Sequence, residues 1–321
     1  MTSIVIRKPG ICSTLQDLGR TGYRACGVPA SGALDPVALM LANALIGNAP
    51  NCAGIEMLYN GVTFEVSGDA VRIALCGTEA TLTSRATVRP RTLPPWESVT
   101  VHHGETVRVH TIYDTAAAYL VIEGGFEVAP VLGSVSTHLK SALGGWHGRT
   151  LRAGDVLPVQ FDAPSARWER RYGHPLNLHA PTTLRVILGP HDSRFEDASI
   201  AAFLSSEYGV STQSDRSGLR LEGEVLKHID GYDLNSEGIT AGSIQVPGTG
   251  LPVILIGDHP TVGGYPKIAT VISADLAAAG RLRIGSRVRF NAITEAQATH
   301  ARTNLQAMMN WTIASMSELR A

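Results

Sequence analysis

Strand-like runs of only a few residues, each closed off by Gly, Pro, Asp or Asn, recur along the whole of this 321-residue chain. They fall at 4–6, 62–66, 71–75, 99–101, 107–112, 119–122, 156–159, 184–188, 244–246, 253–256, 268–272 and 288–290. Val and Ile dominate them, the side chains that pack best on a pleated, half-buried surface. Residues 105–112 alternate, with Val107 and Val109 on one face and Arg108 and His110 on the other, as a half-buried strand requires. No regular helical pattern separates the runs. That excludes a βαβ sheet and predicts a mainly β fold of barrels or sandwiches. The 33 Gly and 17 Pro, spread without low complexity, supply the turns such a fold needs.

Two helices interrupt the pattern. Asp35 caps and Pro36 opens a run to Ile46 that Gly47 ends. Its apolar residues lie on nearly every side, so it should be buried, plugging a barrel mouth. A second helix should start at Thr294, with Gln297 in the capping-box position, and run toward Leu319. Its inner stripe would be Ala301, Leu305, Met308, Thr312, Met316 and Leu319. Roughly 150 residues per domain suggests two domains. The aperiodic segment 161–183 marks the boundary, giving a domain at 1–165, a second at 180–293 and a terminal helix at 294–321. Glycine pairs beside strands in both halves hint at a repeated β topology.

Charge sets limits on partners. Lys and Arg total 27 against 28 Asp and Glu, with no basic stripe, which disfavours nucleic acid. The longest apolar run, 251–256, is far short of the roughly 20 residues a membrane span needs. The N-terminus lacks a signal pattern, and all four cysteines fall at or before Cys76 without C-x-x-C spacing. Reduced thiols and a cytoplasmic location are expected, with no metal site. No phosphate loop, dinucleotide fingerprint or nucleophile elbow occurs, so no nucleotide or other cofactor is expected to bind this chain by a known motif.

Three constellations could carry chemistry. The densest runs from Asp258 through His259, Pro260, Thr261, Gly263, Gly264 and Tyr265 to Lys267, between two apolar strands. It offers a carboxylate, imidazole, hydroxyl, phenol and amine within ten residues, with a double glycine for close approach. The alternative is an ordinary hairpin turn. A second set holds Asp17, Arg20 and Ser31 ahead of the Asp35 helix, where backbone N–H groups and Arg20 could receive an anion. Equally, Asp17 and Arg20 could pair and brace the loop. The third contains Arg216, Arg220, Glu222, Glu237 and Gln245. It is either a structural ion-pair network or, through Gln245, a reader of an amide.

These same residues carry a resemblance. L-Q-D-L-G-R-x-G-Y at 15–23, G-V-P-x-S-G-A-x-D at 27–35, S-D-R-x-G-x-R-L-E-G at 214–223, S-E-G-I at 236–239, I-Q-V-P at 244–247 and G-G-Y-P-K-I-A-T-V-I-x-A-D-L at 263–276 resemble the biotin-dependent carboxyltransferase family. That family takes in the C subunit of 5-oxoprolinase, the second subunit of allophanate hydrolases, and the carboxyltransferase region of urea carboxylase and urea amidolyase. The chain is taken as most similar to the 5-oxoprolinase type. The resemblance implies two cyclophilin-like β-barrel domains and a heteromer with homologues of the B and A subunits of 5-oxoprolinase. The complex would use ATP to open 5-oxoproline to glutamate. Departures are His259-Pro260 where the family reads Arg-Gln after the Asp, Ser217 and Leu219 for Met and Tyr, and Arg281 for Gln.

Within that scheme Asp258 would be base or orienter, Tyr265 a proton donor and Lys267 a charge neutraliser. Arg20, Ser31, Glu237, Gln245, Thr261, Gly263 and Gly264 would bind substrate. Two alternatives stand beside it. One is carboxyl transfer to urea or a related amide; biotin would then come from elsewhere, since no attachment segment is present. The other is a non-catalytic module that binds a homologue of the B subunit or a kinase-inhibitor-like partner.

Overall fold

The structure, a computed structural model, describes residues 1–85 and 90–320. Backbone proximity divides the chain into two compact units. One comprises Met1–Arg20, Ser31–His179 and Ala307–Ala321, the other Thr21–Ala30 and Ala180–Gln306.

The first unit encloses one apolar core between two antiparallel sheets. The larger runs Val156–Pro158, Ser3–Lys8, Thr63–Ser67, Thr106–Val109, Leu82–Arg85, Pro90–Leu93. Its strands alternate, so Ile4, Ile6, Phe64, Val66, Val107 and Val109 face the core. The smaller runs Cys12–Gln16, Gly54–Leu58, Ala117–Ile122, Ala70–Cys76, Ser98–His102. Ala117–Ile122 and Ala70–Cys76 are buried along their full length. Their second face is covered by the helix Pro36–Ile46, which packs on both strands. That helix therefore lies on a sheet and does not plug a barrel mouth. Its ends form as expected: Asp35 accepts from the Ala38 N–H at 3.0 Å, and Gly47 leaves the helix at φ 79°.

The second unit is a closed barrel. Around it run Thr183–Leu188, Lys267–Val271, Ser243–Gln245, Val253–Leu255, Gly218–Glu222, Tyr208–Val210 and Arg287–Ala292, which returns to the first strand in a parallel pairing. Closure leaves no exposed ladder. Phe203, from the helix Asp197–Ser205, stacks on Phe290 at 4.4 Å, with Tyr208 beside them. The short Ser243–Gln245 and Val253–Leu255 strands matter most here, because the loops between barrel strands carry the polar residues.

The last helix spans Glu295–Ala314 and opens with the expected box: Thr294 N–H to Gln297 at 2.9 Å and Gln297 N–H to Thr294 at 3.3 Å. It does not reach Leu319. The Ser315 hydroxyl donates to the Thr312 carbonyl at 2.7 Å, taking an acceptor of the last turn. Met316–Leu319 then forms a strand against Glu169–Tyr172, inside the segment expected to be an aperiodic boundary. Ala301 and Thr312 are buried on the helix as expected, whereas the expected Met308 is exposed and its neighbour Met309 is buried instead. Ala321 lies outside the described residues. No helix among the described residues is long and apolar enough to cross a membrane.

Candidate active site

Two polar clusters sit on the barrel of the second unit. Gln245 pairs in register with Lys267 and with Val253, the first residue of its strand. Asp258 follows Leu255, the last residue of that strand. The clusters thus occupy opposite ends of a three-residue strand, about 7 Å of backbone. A two-stranded ribbon, Glu237–Gly238 against Val262–Gly263, joins them.

At one end Asp258 and Arg216, both buried, form a two-point ion pair: Nε to Oδ2 at 3.0 Å and Nη2 to Oδ1 at 3.3 Å. The Asp258 N–H also donates to the Arg216 carbonyl at 2.8 Å. A carboxylate gripped through both oxygens is well placed to orient and poorly placed to take a proton. Arg216 is thus a buried anchor of Asp258. Next along, the buried His259 holds Pro260 O at 2.7 Å through Nδ1, so Nδ1 carries the proton and Nε2 accepts from Arg24 Nη1 at 3.2 Å. Arg24 also donates to the Ile239 carbonyl.

At the other end Lys267 is buried and its ammonium meets the Glu237 carboxylate and, at 3.4 Å, the Gly238 carbonyl. His191 completes the group. Its Nδ1 accepts from the Lys267 N–H at 3.2 Å, which puts the proton on Nε2, 3.2 Å from Glu237 Oε1. Lys267 holds the Glu237 carboxyl below its ordinary pKa, with His191 adding to the effect. Glu237 is 42% exposed, so it is an ionised carboxylate that substrate or water can reach.

Gln245 is buried between these groups, and its Nε2 has no hydrogen-bond partner. Gly263 covers it: a Cβ there would lie 2.4 Å from Ile239 Cδ1 and 3.0 Å from Gln245 Nε2. A Cβ on Gly264 would meet the Leu234 carbonyl oxygen at 2.6 Å. The double glycine is needed for close approach. Because an isoleucine methyl can turn aside and a backbone carbonyl cannot, Gly264→Ala should cost about 2–3 kcal/mol and Gly263→Ala about 1, read from urea unfolding midpoints. Equal or negligible losses would mean that the ribbon yields.

Of the residues expected to act, Glu237, Gln245, Gly263, Gly264 and Lys267 come together, with the exposed Tyr265 two residues from Lys267. Asp258 joins the other cluster. Thr261 lines a concavity of about 690 Å³ with Arg24, Cys26, Gly238, Ile239 and Val262. Arg20 and Ser31 belong to the first unit. Arg20 is buried there and donates to the Ser136 carbonyl, while Asp17 accepts from Ser134, Ser136 and the Val135 N–H, so both brace one loop. Arg24 and His191 are absent from the sequence-derived candidates. Arg24 falls in the short gap between the motifs at 15–23 and 27–35, and nothing in the sequence brings position 191 near 267.

Burial is the main cause that holds both imidazoles below the ordinary value of 6.5; at His191 the pull of Glu237 is outweighed, and at His259 the Pro260 hydrogen bond is. In the unfolded chain each takes a proton near 6.5, in the folded chain only at lower pH. Their contribution to stability is thus complete above that value and lost as pH falls through the folded values. The melting temperature should drop between about pH 7.5 and 5.5, and His191→Gln/His259→Gln should flatten that drop. An equal slope in the double variant would assign the effect to other groups.

The chain is similar to several known proteins. Residues 26–292 match the model of the carboxyltransferase domain, subdomain A and B. The chain is 35% identical over 302 residues to the C subunit of 5-oxoprolinase from Escherichia coli, covering 94% of each chain, and 34% identical to the Haemophilus influenzae protein of that name, covering 90% of this chain and 91% of that one. Urea amidolyase of Saccharomyces cerevisiae is 31% identical over 90% of this chain, which spans 16% of it. The crystal structure of K. lactis urea amidolyase superposes with a TM-score of 0.86 at 27% identity over 99% of this chain and 20% of that one.

Proposed function

The chain belongs to the carboxyltransferase family, subdomains A and B, and on that footing we propose that it is one component of an ATP-dependent 5-oxoprolinase that opens 5-oxoproline to glutamate. The observation that carries this is the match to the 5-oxoprolinase C subunit over 94% of both chains. Homologues of the B and A subunits would complete the enzyme, and ATP would be used by the complex.

The geometry supports a division of labour. A lactam carbonyl is a poor electrophile, so it must be activated before water adds. Glu237, kept ionised by Lys267, is a weak base; it suits holding and deprotonating a water against an already activated carbonyl. Lys267 stabilises negative charge on that carbonyl oxygen. The unpartnered Gln245 amide supplies an N–H for the same oxygen once the Gly263–Gly264 backbone lifts. Tyr265, at the exposed rim, can protonate the leaving nitrogen, and the Arg216–Asp258 pair fixes the far end of the ribbon.

A second reading is carboxyl transfer to urea or a related amide, favoured by the likeness to urea amidolyase over 99% of the chain. The Gln245 N–H fits a ureido carbonyl as well as a lactam one; biotin, when bound, would supply the carboxyl group. Co-expression with the homologues of the other two subunits decides between them. ATP-dependent release of glutamate from 5-oxoproline is expected. Biotin- and bicarbonate-dependent ATP use with urea would replace the first reading by the second. Tight capture of the B-type homologue without either activity would make the chain a regulatory module.

A further inference from the structure

Arg24 stands out in the second unit as a half-buried cation with neutral company. Its guanidinium donates to the Ile239 carbonyl and to His259 Nε2, and no carboxylate among the described residues lies within ion-pair distance of it. Both contacts accept hydrogen bonds without adding negative charge. They fix the plane of the guanidinium and leave its charge uncompensated. His259 is committed to this arrangement, because Pro260 O holds Nδ1–H and so keeps the Nε2 lone pair facing Arg24. The concavity of about 690 Å³ that Arg24 lines is otherwise built from small and apolar groups, together with Cys26 and the Thr240 and Thr261 hydroxyls. Gly238 belongs to its wall, and the Gly238 carbonyl touches Lys267 Nζ at 3.4 Å, so this space borders the Lys267–Glu237–His191 group.

We propose that Arg24 is the carboxylate anchor of the site: a small cyclic amide seats its carboxylate on the Arg24 guanidinium, with its ring directed along the ribbon toward Lys267. One planar fork flanked by threonine hydroxyls matches a monoanionic carboxylate. A phosphate dianion would call for further cations or a nest of backbone N–H groups, and the lining residues include no second cation. The assignment rests on the 5-oxoprolinase reading for the identity of the substrate, but its chemistry is local to Arg24.

Two measurements test it. In the co-expressed complex, Arg24→Gln should raise KM for 5-oxoproline about thirtyfold, the loss of one charged hydrogen-bonded contact, with kcat within about threefold of wild type. Arg24→Lys, which keeps the charge and loses the fork, should fall between. In the full-length chain alone, the exposed Cys26 of the same concavity reports occupancy. 5-Oxoproline should slow its alkylation by iodoacetamide, read by peptide mass spectrometry. 2-Pyrrolidinone, the same lactam without the carboxylate, should not, and Arg24→Gln should abolish the protection. Unchanged KM in both variants, or equal protection by 2-pyrrolidinone, overturns the proposal. A complex that fails to open 5-oxoproline removes the enzymatic reading, yet carboxylate-dependent protection of Cys26 still stands or falls by itself.

Discussion

Lys267→Met in the assembled complex should lower 5-oxoproline turnover by about a hundredfold or more while leaving the fold largely intact. The two effects separate because the partners of Lys267 differ in exposure. Lys267 is buried, but Glu237 is 42% exposed and can be rehydrated when the ammonium is removed. The ion pair then forfeits only about 1 kcal/mol, as partly exposed pairs do. The methionine side chain keeps a stem of similar length and apolar character in the buried position of the lysine. Chemistry is another matter. Without the ammonium, Glu237 loses the contact that holds it ionised and oriented, and the developing oxyanion loses its nearest cation; each such role is typically worth about a hundredfold or more. Lys267→Arg should recover only part of the rate, since a planar fork does not fit between one carboxylate and the Gly238 carbonyl as a compact ammonium does. Steady-state rates beside melting temperatures check this. Wild-type turnover in Lys267→Met would remove the cluster from the mechanism, and a parallel collapse of melting temperature would make it a structural brace.

The same contrast between apolar and polar logic explains what is legible in the sequence. Each strand-like run finds its strand, because Val and Ile at period two have few other places to go. Cys12–Gln16 and Glu169–Tyr172 escape that pattern, since what fixes them is polar and distant. Gln16 reaches the Thr137 carbonyl, and Glu169 is held by Arg72, Ser98 and Thr100. The loop from Asp258 to Lys267 is visible as a dense motif, but its reading as one site assumes that neighbours in sequence act together. Strand register decides otherwise: Gln245 opposite Lys267 places that cluster at one end of Val253–Leu255 and Asp258 at the other. His259-Pro260 gains a physical meaning only in three dimensions. The proline carbonyl sets the histidine tautomer, and the histidine holds Arg24. Position 191 reaches the site through the backbone of Lys267, a link no local pattern encodes.

Breaking the Arg216–Asp258 pair from either side should be the most destabilising polar change in the second unit. Both side chains are buried and bonded at two points, so Asp258→Asn or Arg216→Met leaves a charge in a poorly solvated place without the group that balanced it. Such losses run at about 3–5 kcal/mol. Replacing both by apolar residues, Arg216→Met with Asp258→Leu, removes the pair together with its desolvation cost and should regain most of that stability. Activity then discriminates between the two roles of the pair. If it only braces the loop, turnover of the assembled complex should return in the double variant with the urea midpoint. If it positions His259, and through it Arg24, the backbone bond from the Asp258 N–H to the Arg216 carbonyl survives and the fold recovers, but the charge that orients the ribbon's far end does not. The expected result is the second: a restored midpoint, with KM for 5-oxoproline still raised about tenfold and kcat near that of wild type. Full recovery of midpoint and KM would return Asp258 to a purely structural place and leave Glu237 as the carboxylate on which the chemistry turns.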